Sequence, residues 1–257
     1  MKDRIAFIII SVVLLTTISV ITSCDKAPSD PARRALYYSV KALGGLERTT
    51  GWKTRVQKGI MKARFPGWGD LTADYTIHVK KPSKIRIDQN FSAYDHPFYY
   101  TYYGNGDDVW AVVNMNVRQS ERYTDMITGT LQTIDGLPYY YTACDTFFIA
   151  GEQPEDTLVS GYQLERVGCV LEGDTILFDL DTETHLPVRK IDVNDSRQEL
   201  MEDYRETDGI MVPYKITRYA AGRKRNSVQW KEIIYGAAVP DSLFNEFRPE
   251  PEGEKSG

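Results

Sequence analysis

The sequence predicts a mainly β protein with some α, an α+β chain built on a single, strongly curved antiparallel sheet with helices on its concave side. Three observations lead there. Segment after segment alternates apolar and polar residues with period two, the mark of strands with one buried face. The reversals between them carry Asn, Asp and Gly, as hairpin turns require. No composition break or Gly/Ser linker follows residue 31, so one domain is the economical reading.

Lys2 and Arg4 precede an apolar run from Ile5 to Ile21, which ends in Ile21-Thr22-Ser23-Cys24. A positive segment, a hydrophobic core and small residues make an export signal over residues 1–23. The run also approaches the length of a membrane span, so a retained transmembrane anchor is the competing reading. The cysteine decides between them. Ile-Thr-Ser-Cys resembles the lipobox of bacterial lipoproteins, which implies cleavage before Cys24 and diacylglycerol on its sulfur. Two or more acyl chains, at about 0.8 kcal/mol per buried CH₂, make such an anchor lasting. Cleavage would take the net charge from −5 to −6. Residues 24–31 then form a lipidated tether.

Asp30 caps a helix that Pro31 opens; Leu36, Val40 and Leu43 form one stripe, and Gly44-Gly45 ends it. Strands are expected over 55–65 and 70–80, where Leu71, Ala73, Tyr75, Ile77 and Val79 alternate with polar residues. More follow over 83–90, 98–103 and 108–114. The β pattern fails from Ser120 to Ile149, which reads as two helices, or a helix and a loop, parted by Asp135-Gly136. Strands resume over 158–168, 175–181, 186–193, 198–207, 210–219 and 227–235, with Asn194-Asp195-Ser196, Asp208-Gly209 and Gly222 at reversals. Residues 248–257 read as a flexible tail.

Composition is that of an ordinary globular protein, 42% hydrophobic and 26% charged, with a pI of about 5.4. No basic block exceeds Arg223-Lys224-Arg225 at a hairpin tip, so nucleic acid is not an expected partner. His78, His96 and His185 have no metal-ligand spacing, and neither metal nor other cofactor is expected. There is no GxSxG elbow. Asp179/Asp181 and Glu202/Asp203 read as solvated strand carboxylates rather than acid–base pairs. Cys144 and Cys169 are either a disulfide, which an exported compartment permits, or two buried thiols. Tyrosines gather at Tyr99, Tyr100, Tyr102 and Tyr103, and again at Tyr139, Tyr140 and Tyr141; as a set they suit a pocket rim, and singly they are ordinary strand residues.

KALGGLERTTGWKTRVQKGIM (41–61), KKPSKIRID (80–88), GDDVWAV (106–112), LDTETHLPVRK (180–190) and DYRETDGIMVPYKIT (203–217) together resemble the periplasmic lipoprotein-carrier superfamily, the Lol-type lipoprotein-sorting and lipid-binding lipoproteins. The resemblance spans nearly all of residues 32–247. It implies an unclosed β-barrel capped by helices around an apolar cavity for acyl chains, and no catalytic residues. The soluble carriers of that family lack an anchor, so this chain looks closer to the anchored acceptor or lipid-binding members. Strand parity nominates Tyr75, Ile77, Ile85, Ile87, Trp110, Phe178, Ile210, Val212 and Ile216 as cavity lining. The expectation is a monomeric, non-enzymatic carrier of acyl chains or lipidated proteins. It would be held by lipid at the membrane, on the periplasmic face of the outer membrane. The alternative is a structural or protein-interaction lipoprotein whose cavity is filled by its own helices.

Overall fold

The computed structural model describes residues 26–248 apart from 66, 68, 92–96, 107 and 152–156; Cys24, His96 and the tail beyond Arg248 lie outside the described residues. The strands of the first half are β1 (Thr54–Phe65), β2 (Gly69–Lys80), β3 (Lys84–Phe91), β4 (Phe98–Asn105), β5 (Asp108–Val113) and β6 (Asn116–Arg118). Those of the second are β7 (Thr146–Ile149), β8 (Leu164–Leu171), β9 (Asp174–Asp181), β10 (Pro187–Asp192), β11 (Arg197–Thr207), β12 (Ile210–Ala220) and β13 (Arg223–Tyr235). All join one antiparallel sheet in the order β6-β5-β4-β3-β2-β1-β13-β12-β11-β10-β9-β8-β7. Only β1 and β13 are neighbours out of sequence. The free edges, β6 and β7, are consecutive in the chain, so the sheet curls without closing.

Among the described residues there are four α-helices: α1 (Pro31–Ala42), α2 (Leu46–Gly51), α3 (Glu121–Gln132) and α4 (Leu137–Ala143). The last two connect β6 to β7 and so run from one edge of the unclosed barrel to the other. α1 begins as the sequence dictates, with Asp30 Oδ1 accepting from Arg33 N at 2.7 Å. It buries Ala32, Leu36 and Val40, with Leu43 just beyond its end. Its C-terminus locks onto the β11–β12 turn, where Asp208 (φ 52°) and Gly209 (φ 73°) adopt the expected left-handed pair. Met211 N donates to Leu43 O at 2.9 Å. Gly44 lies so close that a Cβ there would sit 2.3 Å from Gly209 O, so no other residue fits.

Elsewhere the structure departs from the expected elements. Thr146–Ile149 is the edge strand β7, paired to β8 with Phe147 opposite Cys169, rather than the helix or loop expected there. Residues 157–159 form a 3-10 turn, and the strand expected from 158 begins at Leu164. The short β6 and α2 carry too few alternating or periodic residues to be legible.

Both faces of the sheet are covered. The inner face carries the helices and two apolar clusters. The outer face is strapped by the C-terminal segment, where Asp241 bridges Lys80 and Lys84, Glu246 pairs with Arg86 at 2.6 Å, and Arg248 pairs with Asp108. On the same face, Val159 of the 3-10 turn packs on Val188 and Leu200.

Candidate functional site

The inner face is a trough with two apolar ends. One cluster joins Leu71, Tyr75, Ile77, Val79, Ile85, Ile87, Phe91, Ile210, Val212, Tyr214, Val228 and Trp230. It follows from the register: Ile77 opposes Ile87, Val79 opposes Ile85, and Tyr75 opposes Gly59, which opposes Trp230. Tyr75 stacks on Trp230 at 5.4 Å, and the Trp230 Nε1 is buried without a partner. An aromatic shelf of Phe65, Phe91, Phe98, Tyr100 and Tyr102 continues the cluster toward α3, where Tyr123 meets Tyr102 edge-on at 5.6 Å. Burial pushes the Tyr102 hydroxyl up to about 12. The second cluster packs Phe178, Leu180, Val167 and Cys169 under α1 and α4, with Tyr140 against Phe178 at 5.4 Å.

α3 covers the first cluster with little of its own surface. Among its described side chains Ile127 is the one fully buried, and Tyr123 and Leu131 are half-buried against the sheet. Ile127 reaches the sheet because Gly104 has no side chain; a Cβ there would meet Ile127 Cγ2 at 2.7 Å. The helix is fastened at its far end, where it turns into α4. Lys81 Nζ donates to both carboxylate oxygens of Asp135 at 2.7 Å and to Thr50 O at 2.8 Å, and lies 4.0 Å above the Trp52 ring. Arg55 Nη2 donates to Ile134 O at 3.3 Å.

Between the clusters the trough is polar. Phe178, Lys190, Glu199 and Arg218 are successive cross-strand partners on β9 to β12, so all four side chains share the inner face. Glu199 pairs with Arg218 Nε at 2.7 Å and with Lys190 Nζ at 3.2 Å. Burial alone would raise the Glu199 carboxyl, but the charges of Lys190 and Arg218 and their hydrogen bonds outweigh it and take it to about 2. A separate recess of about 460 Å³ lies beside the α3 N-terminus, lined by Asp108, Glu121 and Asp125 among others.

Of the residues nominated by parity, Tyr75, Ile77, Ile85, Ile87, Ile210 and Val212 meet in the first cluster, and Phe178 belongs to the second. Ile216 shares their face, opposite Val228, but is only half-buried in the polar middle. Trp110 does not join them. It opposes Tyr103 and stacks on it at 5.0 Å on the outer face, donating from Nε1 to Glu246 O at 3.3 Å. Its neighbour Val109 is the inward residue. The C-terminal strap over the outer face buries Trp110 as the inner cluster buries Val109, so apolar character alone could not separate them.

Asp179 corrects another expectation. It is fully buried on the outer face between Arg166 and Arg189, each at 2.7 Å, and is not solvated. Asp181 does sit in a turn, accepting from Thr184. Cys144 and Cys169 come together: their Sγ atoms are 2.9 Å apart, both buried, as two thiols. His78 lies 3.9 Å from Asp88 on the outer face, and His185 stacks on Tyr38. The polar row 190–199–218 was missed in the sequence, because each residue alone reads as a surface charge.

Neither a protein-family model nor a curated protein matches the sequence. Solved structures match in fold. A DUF1329 family protein from Desulfovibrio piger superposes with a TM-score of 0.56 at 15% identity, covering 85% of this chain and 98% of that one. A LolA superfamily protein from Nitrosomonas europaea gives 0.53 at 12%, covering 84% and 98%. A putative outer membrane lipoprotein-sorting protein domain from Vibrio parahaemolyticus gives 0.52 at 11%, covering 83% and 97%. At these identities the likeness is one of fold: the unclosed, helix-covered antiparallel sheet of this chain superposes on these LolA-like structures.

Proposed function

We propose that this chain is a lipid-anchored carrier or acceptor that captures an acyl chain, free or on a lipidated protein, by non-covalent burial on the inner face of its sheet. The observation that supports this is the thin attachment of α3 over a large apolar and aromatic surface. Magnitudes favour exchange. About 15 CH₂ groups at roughly 0.8 kcal/mol each offer ~12 kcal/mol, whereas releasing Ile127 at ~1.5–3 kcal/mol and the half-buried Tyr123 and Leu131 at about half that each costs about 3–6 kcal/mol. An acyl chain can therefore replace the helix on the shelf. No covalent chemistry is assigned to the trough. The tether from Cys24 would hold the domain at the membrane, on the periplasmic face of the outer membrane, as a monomer.

A second reading is a structural or interaction lipoprotein. It is favoured by the burial that the inner-face residues already obtain from their own chain, Ile85 and Val79 being fully covered. Native mass spectrometry of the mature protein and titration with a fluorescent fatty acid separate the two. Saturable uptake, with co-purifying lipid released by solvent extraction, is expected for a carrier. Neither would be seen for a self-filled barrel. Anchoring is tested by clickable fatty-acid labelling: Cys24→Ala should abolish incorporation, and unchanged labelling would rule out the lipobox.

A further inference from the structure

The polar middle of the trough has one cation more than it needs. Glu199 takes one salt bridge from Lys190 and another from Arg218, so the three groups carry a net charge of +1 on a face that is apolar to either side. A single partner would neutralise Glu199. A cation in excess between two apolar clusters offers charge-assisted hydrogen bonds to an anion that reaches it. Arg218 uses its Nε on Glu199 and keeps its side chain 37% exposed, which leaves the guanidinium end reachable. Lys190 is held from the other side by Tyr140 of α4, 5.6 Å from the ring centroid.

A second observation lies one strand further on. Asn226 opposes Arg218 across β12 and β13, and its Oδ1 is buried with no hydrogen-bond partner. A buried acceptor left open is costly and is matched by an O–H or N–H donor. Cation and acceptor stand side by side, and beyond Asn226 the same cross-strand row continues to Ala63 and Leu71 of the apolar cluster.

We infer that Lys190, Arg218 and Asn226 form the head-group subsite of the trough, selecting an amphiphile with an anionic head, carboxylate or phosphate, whose chain lies on the apolar cluster. This rests on the carrier reading above and goes beyond it by naming the head. The anion would bridge Arg218 and Lys190 in place of solvent, and a hydroxyl on the head would donate to Asn226.

The test titrates the mature protein with four probes of known head: 1-palmitoyl-lysophosphatidylglycerol, palmitate, monopalmitoylglycerol and inorganic phosphate. Each of the first two should bind about tenfold more tightly than the neutral glyceride, the scale of one charge-assisted hydrogen bond. Phosphate alone should compete weakly. Arg218→Met leaves Lys190 and Glu199 as a neutral pair, so it should erase the preference while the glyceride binds as before. Glu199→Gln raises the charge and should widen it. Equal binding of anionic and neutral amphiphiles by the wild type would overturn the subsite and leave the carrier intact. A preference unmoved by both variants would overturn it as well. Phosphate competing as strongly as the amphiphiles would reassign the site to a free anion. Binding of no amphiphile at all would remove the carrier reading, and the subsite with it.

Discussion

Glu199 sits between two cations, and its ionisation makes stability depend on pH. Its folded value of about 2 lies below the ordinary 4.5, so the folded state favours the charged form. The stabilisation is therefore complete above about pH 5 and is lost as pH falls through the unfolded value toward 2, an amount on the order of 3 kcal/mol. Denaturant titrations between pH 2 and 6 should show wild type losing stability toward acid, with a flatter curve for Glu199→Gln; parallel curves would exclude the triad as the source. The cysteine pair makes a second test at this scale. With Sγ atoms 2.9 Å apart, Cys144 and Cys169 need little movement to reach a bond of about 2.05 Å. In an oxidising compartment, thiol–disulfide exchange with an oxidoreductase disulfide would pass two electrons and two protons from the pair. Protein purified from that compartment is expected to resist alkylation in denaturant and to have a mass two hydrogens short of the reduced form. Two alkylated thiols would leave the pair as buried neighbours, whose pKa values burial raises.

Among the elements, α3 is the one whose energetics differ from its surroundings. The strands of residues 174–235 are held by continuous ladders, whereas α3 rests on one fully buried side chain and two half-buried ones. Local opening follows such differences. Amides of α3 should exchange before those of β9 to β13, and protection equal to the strands would count against a movable cover. The latch at its C-terminal end is separable from the helix itself. Lys81 and Asp135 are 21% and 14% exposed, shielded enough for their pair to matter. Asp135→Asn weakens that charge-assisted contact and should speed α3 exchange about tenfold or more, leaving the strands unchanged. An equal rise throughout the protein would mean that the latch supports the whole fold.

At the scale of the molecule, the sheet was legible because alternation such as Leu71 to Val79 survives wherever one face is wetter than the other. Elements under four or five residues were not, and neither was β7, whose adjacent phenylalanines alternate with nothing. Inner and outer faces were separable by parity along each strand, but what covers each face was not. Trp110 and Asp179 were misplaced for that reason, since residues 157–162 and 240–248 bury an outer face that parity alone leaves to solvent. The polar row depended on register across four strands, which no single segment encodes. A filled core and a closed binding site differ in what one mutation does to binding. Ile127→Ala removes the side chain by which α3 grips Ile85 and Gly104 without altering the sheet. Such a truncation costs the closed form about 2–4 kcal/mol. In a filled core that loss appears only as a lower melting temperature. In a closed binding site it also raises the fraction of molecules with α3 lifted, and apparent affinity rises with that fraction, by about 30-fold for 2 kcal/mol while the open form is still rare. The expected outcome is tighter uptake of a fluorescent fatty acid by a less stable protein. A variant that melts earlier and binds no better than wild type would assign α3 to the core and favour the structural lipoprotein.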